Sequence, residues 1–326
     1  MRSYIFRRLL LMIPTVFLTS LIIFFAIRLI PGNIIDLMES QFGTYASISR
    51  ADIETKLGLN VPIVEQYGRW IGVIPQQNGH FDGLLQGDLG QSLWESATVT
   101  KEISDRWPVT FELAIMGLII GQVIALPIGI YSALRQDSVG DYIGRTFAIL
   151  CIAIPSFWLG TMIIVYPSIW WGYSPPFMLI KFSADPIGNL KMFIIPSVVL
   201  GMGMSGGTMR MTRTMMLEVL RQDYVRTAWA KGLRERVVVM RHALKSALIP
   251  VVTIIGMQMP VLIGGAVIVE DIFNLPGMGS LLVNSTLNRD YPIVSGVLVV
   301  FAVAMVLINL LVDLTYGYLD PRVSYK

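Results

Sequence analysis

Six long runs of residues without a single charged side chain limit what this sequence can fold into. A helix needs roughly 20 apolar residues to cross the hydrocarbon core of a bilayer, and backbone groups in lipid must be satisfied within their own segment. Six such runs cannot all be hidden inside a soluble chain of 326 residues. We therefore predict an all-α polytopic membrane protein with six transmembrane helices. The runs are Leu9–Ile27, Leu113–Leu134, Thr146–Trp170, Met192–Met209, Ser246–Val269 and Pro292–Val312.

Composition agrees with this fold class and excludes several functions. Charged residues make up 14% of the chain, whereas soluble domains carry about 25%. The net charge of +3 is too small to indicate nucleic acid. A single cysteine, Cys151, excludes an internal disulfide, and His80 and His242 are too few for a structural zinc site. We expect no metal and no cofactor. The run Leu9–Ile27 is too long for the apolar region of a cleavable signal peptide.

The basic residues predict the orientation in the membrane, because arginine and lysine concentrate in cytoplasmic segments. If the N-terminus is cytoplasmic, the inner segments hold most of the 25 basic residues. We expect a multi-pass protein of the cell inner membrane with both termini in the cytoplasm. The inner basic residues are Arg2, Arg7, Arg8, Arg135, Arg145, Arg210, Arg213, Arg221, Arg226, Lys231, Arg234, Arg236, Arg241, Lys245, Arg322 and Lys326.

Two domains are expected along the chain. Residues 1–107 form an N-terminal anchor helix and an extracytoplasmic segment, and residues 108–326 form a five-helix transmembrane domain. The outer segment Pro31–Trp107, with a helical stretch at Ser49–Leu57, is too long for a connector. It either docks a partner protein on the outer face or plugs a second membrane subunit. Several runs contain a proline that predicts a kink, among them Pro14, Pro127, Pro155, Pro196 and Pro260.

No motif indicates chemistry on this chain. The segment Gly201-Met-Gly203-Met-Ser-Gly206 matches a dinucleotide pattern, but it lies within an apolar run and lacks the preceding strand. We expect Gly203 and Gly207 to serve close helix packing instead. The dipeptide Gly-Lys is absent, so no Walker A sequence exists. The chain is predicted not to be an enzyme. An ion-coupled secondary transporter or channel, the alternative function, predicts charges within the spans or inverted repeats, and neither is present.

The loop between the fourth and fifth runs, at about 215–247, has two amphipathic helical patterns. In the first pattern one helical face holds Leu217, Leu220, Tyr224 and Ala228. Gly232 can adopt the left-handed conformation that stops a helix. In the second pattern the apolar face holds Val237, Met240 and Leu244. The pair is either a docking element for another protein or a pair of interfacial helices on lipid headgroups.

An ordered series of motifs resembles one known family. Asp223-Tyr-Val-Arg-Thr-Ala-x-Ala-Lys-Gly232-Leu resembles the cytoplasmic coupling loop of ABC importer permeases, in the form found in the dipeptide/oligopeptide/nickel branch. Here Arg226-Thr227-Ala228 replaces the general Glu-Ala-Ala. The N-terminal block and the outer segment resemble the first permease of the pair. Other matching blocks are Tyr4-Ile-Phe-Arg-Arg8 with Pro31-Gly32, Gly87-Asp-Leu-Gly-Gln-Ser92, Ile154-Pro-Ser-Phe-Trp-Leu-Gly160, Pro276-Gly-Met-Gly279, Arg289-Asp-Tyr-Pro292 and Asp320-Pro-Arg322.

The resemblance implies a type I ABC importer permease fold and a set of partners. A second homologous permease would complete the translocation pathway, two ATP-binding cassette ATPase subunits would bind underneath, and an extracytoplasmic solute-binding protein would deliver the solute. The implied solute is a dipeptide, an oligopeptide or a related small molecule. The residues implied to couple the chain to the ATPase subunits are Tyr224, Val225, Thr227, Ala228, Ala230, Lys231, Gly232 and Leu233.

Overall fold

The computed structural model describes residues 2–29, 60–76, 78–95, 97–172, 174, 176 and 178–319. The predicted helical stretch at Ser49–Leu57 and the motifs at Pro31-Gly32 and Asp320-Pro-Arg322 lie outside these residues. Within them the chain forms ten α-helices and a short 3-10 helix at Leu84–Gln86. The α-helices are α1 (Arg2–Arg28), α2 (Ile63–Ile71), α3 (Val99–Leu134), α4 (Val139–Ala153), α5 (Ser156–Trp171), α6 (Pro186–Leu220), α7 (Asp223–Ala230), α8 (Glu235–Ile272), α9 (Met278–Leu287) and α10 (Tyr291–Leu319).

Five of these helices are long and apolar enough to cross a membrane within the described residues. A helix pairs most of its backbone groups within its own segment, as a span in lipid requires. A sixth span is present if the bent pair α4 and α5 is counted as one. The prediction of an all-α membrane protein is therefore confirmed. The five are α1, α3, α6, α8 and α10.

The third predicted span, Thr146–Trp170, is not one continuous helix. α4 and α5 meet at an angle of 96°. Ile154 has φ −83° and ψ 118°, the extended conformation that a following proline favours by steric clash. Pro155, whose nitrogen carries no hydrogen to donate, then precedes the first residue of α5. The expected kink at this proline is therefore a break.

Glycines bring the membrane helices close together, but not all at the expected positions. A Cβ on Gly201 would lie 2.6 Å from a carbonyl oxygen of α3, and one on Gly206 would lie 2.5 Å from a carbonyl oxygen of α4. Gly203, by contrast, has nothing within 4 Å of that position, and Gly207 has only the Gln258 amide at 3.2 Å. Within this chain Gly203 does not provide the predicted close packing, because it lies on the exposed side of α6.

Contacts divide the described chain into two compact units. The first comprises residues 1–6, 108–280 and 305–326, and the second comprises residues 7–107 and 281–304. In the first unit α3, α6 and α8 share an apolar core. Its fully buried members are Leu113, Phe193, Val199, Ala266 and Val269.

Two hydrogen bonds between side chains connect parts of the second unit. The hydroxyls of Ser20 on α1 and Tyr67 on α2 are hydrogen-bonded at 3.0 Å, and the Tyr67 ring packs edge-on against buried Phe24 at 5.1 Å. Farther along, the Ser92 hydroxyl donates to the Asp290 carboxylate. Two of the short motifs of the sequence, Gly87–Ser92 and Arg289–Pro292, therefore meet at this hydrogen bond.

Candidate coupling site

The eight predicted coupling residues lie on α7 and on the turn that follows it. α7 begins at Asp223, whose carboxylate lies in the first turn, and ends at Ala230. The Lys231 N–H donates to the Thr227 carbonyl at 3.1 Å, and the Gly232 N–H donates to the Trp229 carbonyl at 2.9 Å. Gly232 has φ +72°, a conformation that residues with a Cβ adopt only at an energetic cost. The predicted helix stop is present.

The inner face of α7 packs against the same chain. Val225 and Ala228 are buried, and they contact Val219 and Leu220 at the end of α6 together with Val238 in α8. The sequence placed Leu217, Leu220, Tyr224 and Ala228 on one continuous helical face, and this prediction is wrong, because Leu217 and Leu220 belong to α6 and the other two to α7. Ala228 is 5% exposed, whereas Tyr224 is 45% exposed. The chain turns after Leu220, so the face of α6 does not continue into α7.

The outer face of α7 is open to solvent in this chain and combines apolar and basic groups. Trp229 and Leu233 are 44% and 37% exposed. We call this set of exposed side chains the α7 outer face. It consists of Tyr224, Thr227, Trp229, Ala230, Lys231 and Leu233.

The second amphipathic helix has a different buried face from the predicted one. Val237 and Met240 are exposed, and Leu244 is only half-buried. The buried residues are Val238, Val239, Ala243 and Ala247. The reason is a π-helical stretch at Val238–Ala243, which adds a residue to the turn and shifts the side chains around the axis relative to a 3.6-residue period. Val237 and Met240 thus extend the exposed apolar surface near α7.

One polar cluster that sequence reasoning missed lies near the loop. The buried Asp141 carboxylate accepts two hydrogen bonds from the Arg213 guanidinium, both at 2.9 Å. Arg145 lies 3.3 Å from the same carboxylate. The only signal in the sequence was a set of charges just beyond the ends of apolar runs. Such charges indicate only the cytoplasmic end of a span. Local sequence patterns cannot predict a pair of residues that are 72 positions apart.

A second missed cluster surrounds Glu270, which directly follows the fifth run. Its carboxylate is fully buried and accepts hydrogen bonds from the Thr110 hydroxyl at 2.6 Å, the Gly279 N–H at 2.7 Å and the Ser280 N–H at 3.1 Å. The Pro276–Gly279 motif in the sequence was the available signal, since a glycine pair beside a helix start permits close approach to an anion.

The glycine-rich segment of α6 carries no catalytic geometry. Residues 203–207 also match the Gly-x-Ser-x-Gly motif of a nucleophile elbow. That motif functions only on a sharp strand-to-helix turn. Here it lies inside a helix, and the Ser205 hydroxyl donates to the Met202 carbonyl at 2.8 Å. Among the described residues no group of three or more histidine, cysteine, aspartate or glutamate side chains is placed to hold a metal.

The fold is that of the membrane subunits of ABC importers. The methionine ABC transporter MetNI in an inward-facing conformation superposes with a TM-score of 0.53 at 18% identity, covering 67% of this chain and 96% of that one. An amino acid ABC transporter solved with histidines superposes with a TM-score of 0.52 at 12% identity, covering 67% and 94%. The expected type I importer permease fold is confirmed.

The chain belongs to the family of binding-protein-dependent transport system inner membrane components. The model of that family matches residues 125–325, and the model of its N-terminal region matches residues 1–114. The dipeptide transport system permease protein DppB of Escherichia coli K12 is 35% identical over the whole of both chains. The glutathione transport system permease protein GsiC of Pectobacterium atrosepticum is 37% identical, again over both chains in full. These relatives confirm the predicted family and a transport role without enzymatic activity.

Proposed function

We propose that this chain is the first of two permease subunits in an ATP-driven importer for dipeptides, oligopeptides or a related small solute such as glutathione. Full-length relatives named for dipeptide and glutathione transport support this solute class. A putative peptide transport permease of Brucella suis, 36% identical over both chains in full, supports it as well. The chain forms one half of the translocation pathway, and a second homologous permease forms the other half.

The observation that carries the proposal is the two-sided helix α7. A short helix can transmit force only if it is anchored on one side and free to bind on the other. Val225 and Ala228 anchor α7 to its own chain, whereas the α7 outer face offers Tyr224 and Trp229 as aromatic contacts beside Lys231. Aromatic side chains surrounded by polar groups are typical of strong protein contacts. We assign this face to an ATP-binding cassette ATPase subunit, of which the complex holds two.

The rest of the topology follows from this assignment. The loop that holds α7 is cytoplasmic, and so are both termini. Residues 1–107 are the anchor helix and extracytoplasmic segment, and residues 108–326 are the transmembrane domain. A solute-binding protein docks on the outer side, where exposed Val73, Phe81 and Leu85 in the outer segment offer apolar contacts. ATP-driven movement at α7 then alternates access to the pathway by rigid motion of helices.

A cross-linking experiment tests the assignment of α7. Cys151, which is free and buried, is first replaced by alanine. Trp229→Cys is introduced into that background, and the complex with the partner permease and ATPase subunits is treated with a short thiol cross-linker. We expect a covalent adduct with an ATPase subunit. Trp171→Cys, which is exposed at the end of α5 predicted to be extracytoplasmic, is the matched control and gives none. An adduct from both positions, or from neither, contradicts the assignment.

A further inference from the structure

Asp141 in the first unit is a fully buried charge held at a fixed orientation. Both of its carboxylate oxygens accept from the Arg213 guanidinium at 2.9 Å, and one of them also accepts from the Asp137 N–H at 3.0 Å. The Ser138 hydroxyl caps the same helix by accepting from the Asp141 N–H. A bidentate pair of this kind sets the angle as well as the distance between its two elements.

The pair joins α4 to the part of α6 that leads into α7. Arg213 lies seven residues before the last residue of α6, Leu220. Val219 and Leu220 at that end support the buried side of α7. Any displacement of α7 therefore moves the final turns of α6, and Arg213 moves with them.

A second contact joins the hairpin of α3 and α4 to the start of α8, which follows the loop that holds α7. Arg135, directly after α3, pairs with Glu235 at the first residue of α8 at 3.0 Å. Beneath this exposed ion pair lies an apolar cluster from α3, α6 and α8. Its buried members are Ala133, Met216, Val239, Ala243 and Ala247. The hairpin of α3 and α4 therefore contacts α6, which precedes α7, and α8, which follows it.

We infer that Asp141 and Arg213 are positioning residues that carry movement of α7 into the α3–α4 hairpin. This inference rests on the proposed function, since it takes α7 as the helix on which the ATPase acts. The buried pair dominates over Arg135 and Glu235, because exposed ion pairs contribute little and are screened by water. Apolar contacts alone allow sliding, whereas the bidentate pair does not.

The test compares coupling with assembly. Asp141→Asn and Arg213→Gln are made singly and together, and each is reconstituted with the partner permease, the ATPase subunits and the solute-binding protein. Uptake of labelled dialanine and of glutathione is measured beside ATP hydrolysis. We expect each single variant to retain the ATPase subunits but to spend about three to thirty times more ATP per solute molecule. Because the two residues act as one link, the double variant is no worse than the poorer single variant.

Further variants separate a coupling role from a structural one. Arg213→Lys keeps the charge but not the planar fork, and we expect it to raise the ATP-to-solute ratio by less than Arg213→Gln. If the Asp141→Asn complex does not assemble, the ATP-to-solute ratio of the Arg213→Lys complex is the measurement that tests the inference. Glu102→Gln removes an ion pair with Arg106 on the same helix α3, at 2.9 Å, and leaves the ratio unchanged.

Two results overturn the inference. One is a wild-type ATP-to-solute ratio in an assembled Asp141→Asn or Arg213→Lys complex. The other is a double variant whose ratio is the product of the two single effects, since the residues then act independently. Failure of the wild-type chain to bind ATPase subunits contradicts the proposed function instead, and it is measured first by co-purification.

Discussion

The Thr110 hydroxyl donates a 2.6 Å hydrogen bond to Glu270 and accepts a 2.8 Å hydrogen bond from the Met278 N–H. One hydroxyl of α3 therefore joins a buried carboxylate near the end of α8 to the first residue of α9. Glu270 accepts in addition from the Gly279 and Ser280 N–H groups. A negative charge at a helix N-terminus is favoured, because the free backbone N–H groups point toward it.

The hydroxyl of Thr110 is expected to matter more than its size. Thr110→Val leaves the Met278 N–H and one oxygen of Glu270 without this partner, and a buried polar group left unsatisfied costs about 1–3 kcal/mol. Thr110→Ser keeps the hydroxyl and serves as the matched control. The midpoint of thermal unfolding of the purified chain in detergent measures both. Equal midpoints for the valine and serine variants would show that the bridge contributes nothing.

The two glycines of the Pro276–Gly279 motif are expected to reject even a methyl group. A Cβ on Gly277 would lie 2.2 Å from the Glu270 carboxyl carbon, and one on Gly279 would lie 2.4 Å from the Val267 Cα. Overpacking of this kind costs about 1–3 kcal/mol, so both alanine variants should unfold at lower temperature. Gly264→Ala is the control, since nothing lies within 4 Å of its Cβ position. A Gly277→Ala protein as stable as Gly264→Ala contradicts the packing argument.

The membrane topology is tested by reporter fusions. Fusions at Gln86, Arg221 and Lys326 should report outside, inside and inside, because basic residues concentrate on the cytoplasmic side. Reporters active on opposite sides of the membrane give each position two independent readings. An outside signal at Arg221 places α7 out of reach of any cytoplasmic ATPase, and it contradicts the proposed function.

The outer segment is tested by removing exposed apolar side chains. Phe81→Ser together with Leu85→Ser removes two exposed apolar side chains. If this surface contacts the solute-binding protein, stimulation of ATP hydrolysis by that protein falls, whereas basal hydrolysis does not. Met178→Ser, which alters another exposed apolar side chain, is the control. Unchanged stimulation in an assembled complex favours the plug interpretation of this segment.

Sequence patterns predicted the helices and the end of α7 because these depend on local causes. Runs without charge specify spans, and Gly232 permits the left-handed turn. The break at Pro155 was predicted only as a kink, since whether a proline bends or ends a helix depends on what packs around it. The inward face of Ala228 and the π-helical stretch at Val238–Ala243 depend on tertiary contacts as well.

The two polar clusters were beyond prediction for a related reason. Asp141 and Arg213 are 72 residues apart, and Thr110 and Glu270 are 160 apart. A single sequence does not show that they pair, because each of them, taken alone, is only a polar residue near the end of an apolar run. What fixes them is the burial of a charge, which requires a partner. The chain supplies that partner from another helix.

The last prediction concerns how α7 is disturbed. Ala228→Trp introduces a large ring at a buried position against Val238, so it should lift α7 from its support. Gly232→Asp adds no clash, since nothing lies within 4 Å of its Cβ. It instead places a side chain at φ +72°, which costs on the order of 1–2 kcal/mol. We therefore expect Ala228→Trp to abolish solute uptake and Gly232→Asp to reduce it strongly, with both proteins still inserted in the membrane.

The measurement is solute uptake and ATP hydrolysis in the same reconstituted vesicles, with co-purification of the ATPase subunits. Ala184→Trp adds the same bulk at an exposed position and should retain full uptake. Trp229→Ala tests the α7 outer face. It leaves the packing of Ala228 intact, so it should weaken ATPase binding without destabilising the chain. If Ala228→Trp keeps normal uptake, α7 does not need its support. If Trp229→Ala also retains its ATPase subunits, the α7 outer face is not their binding site, and only the family assignment stands.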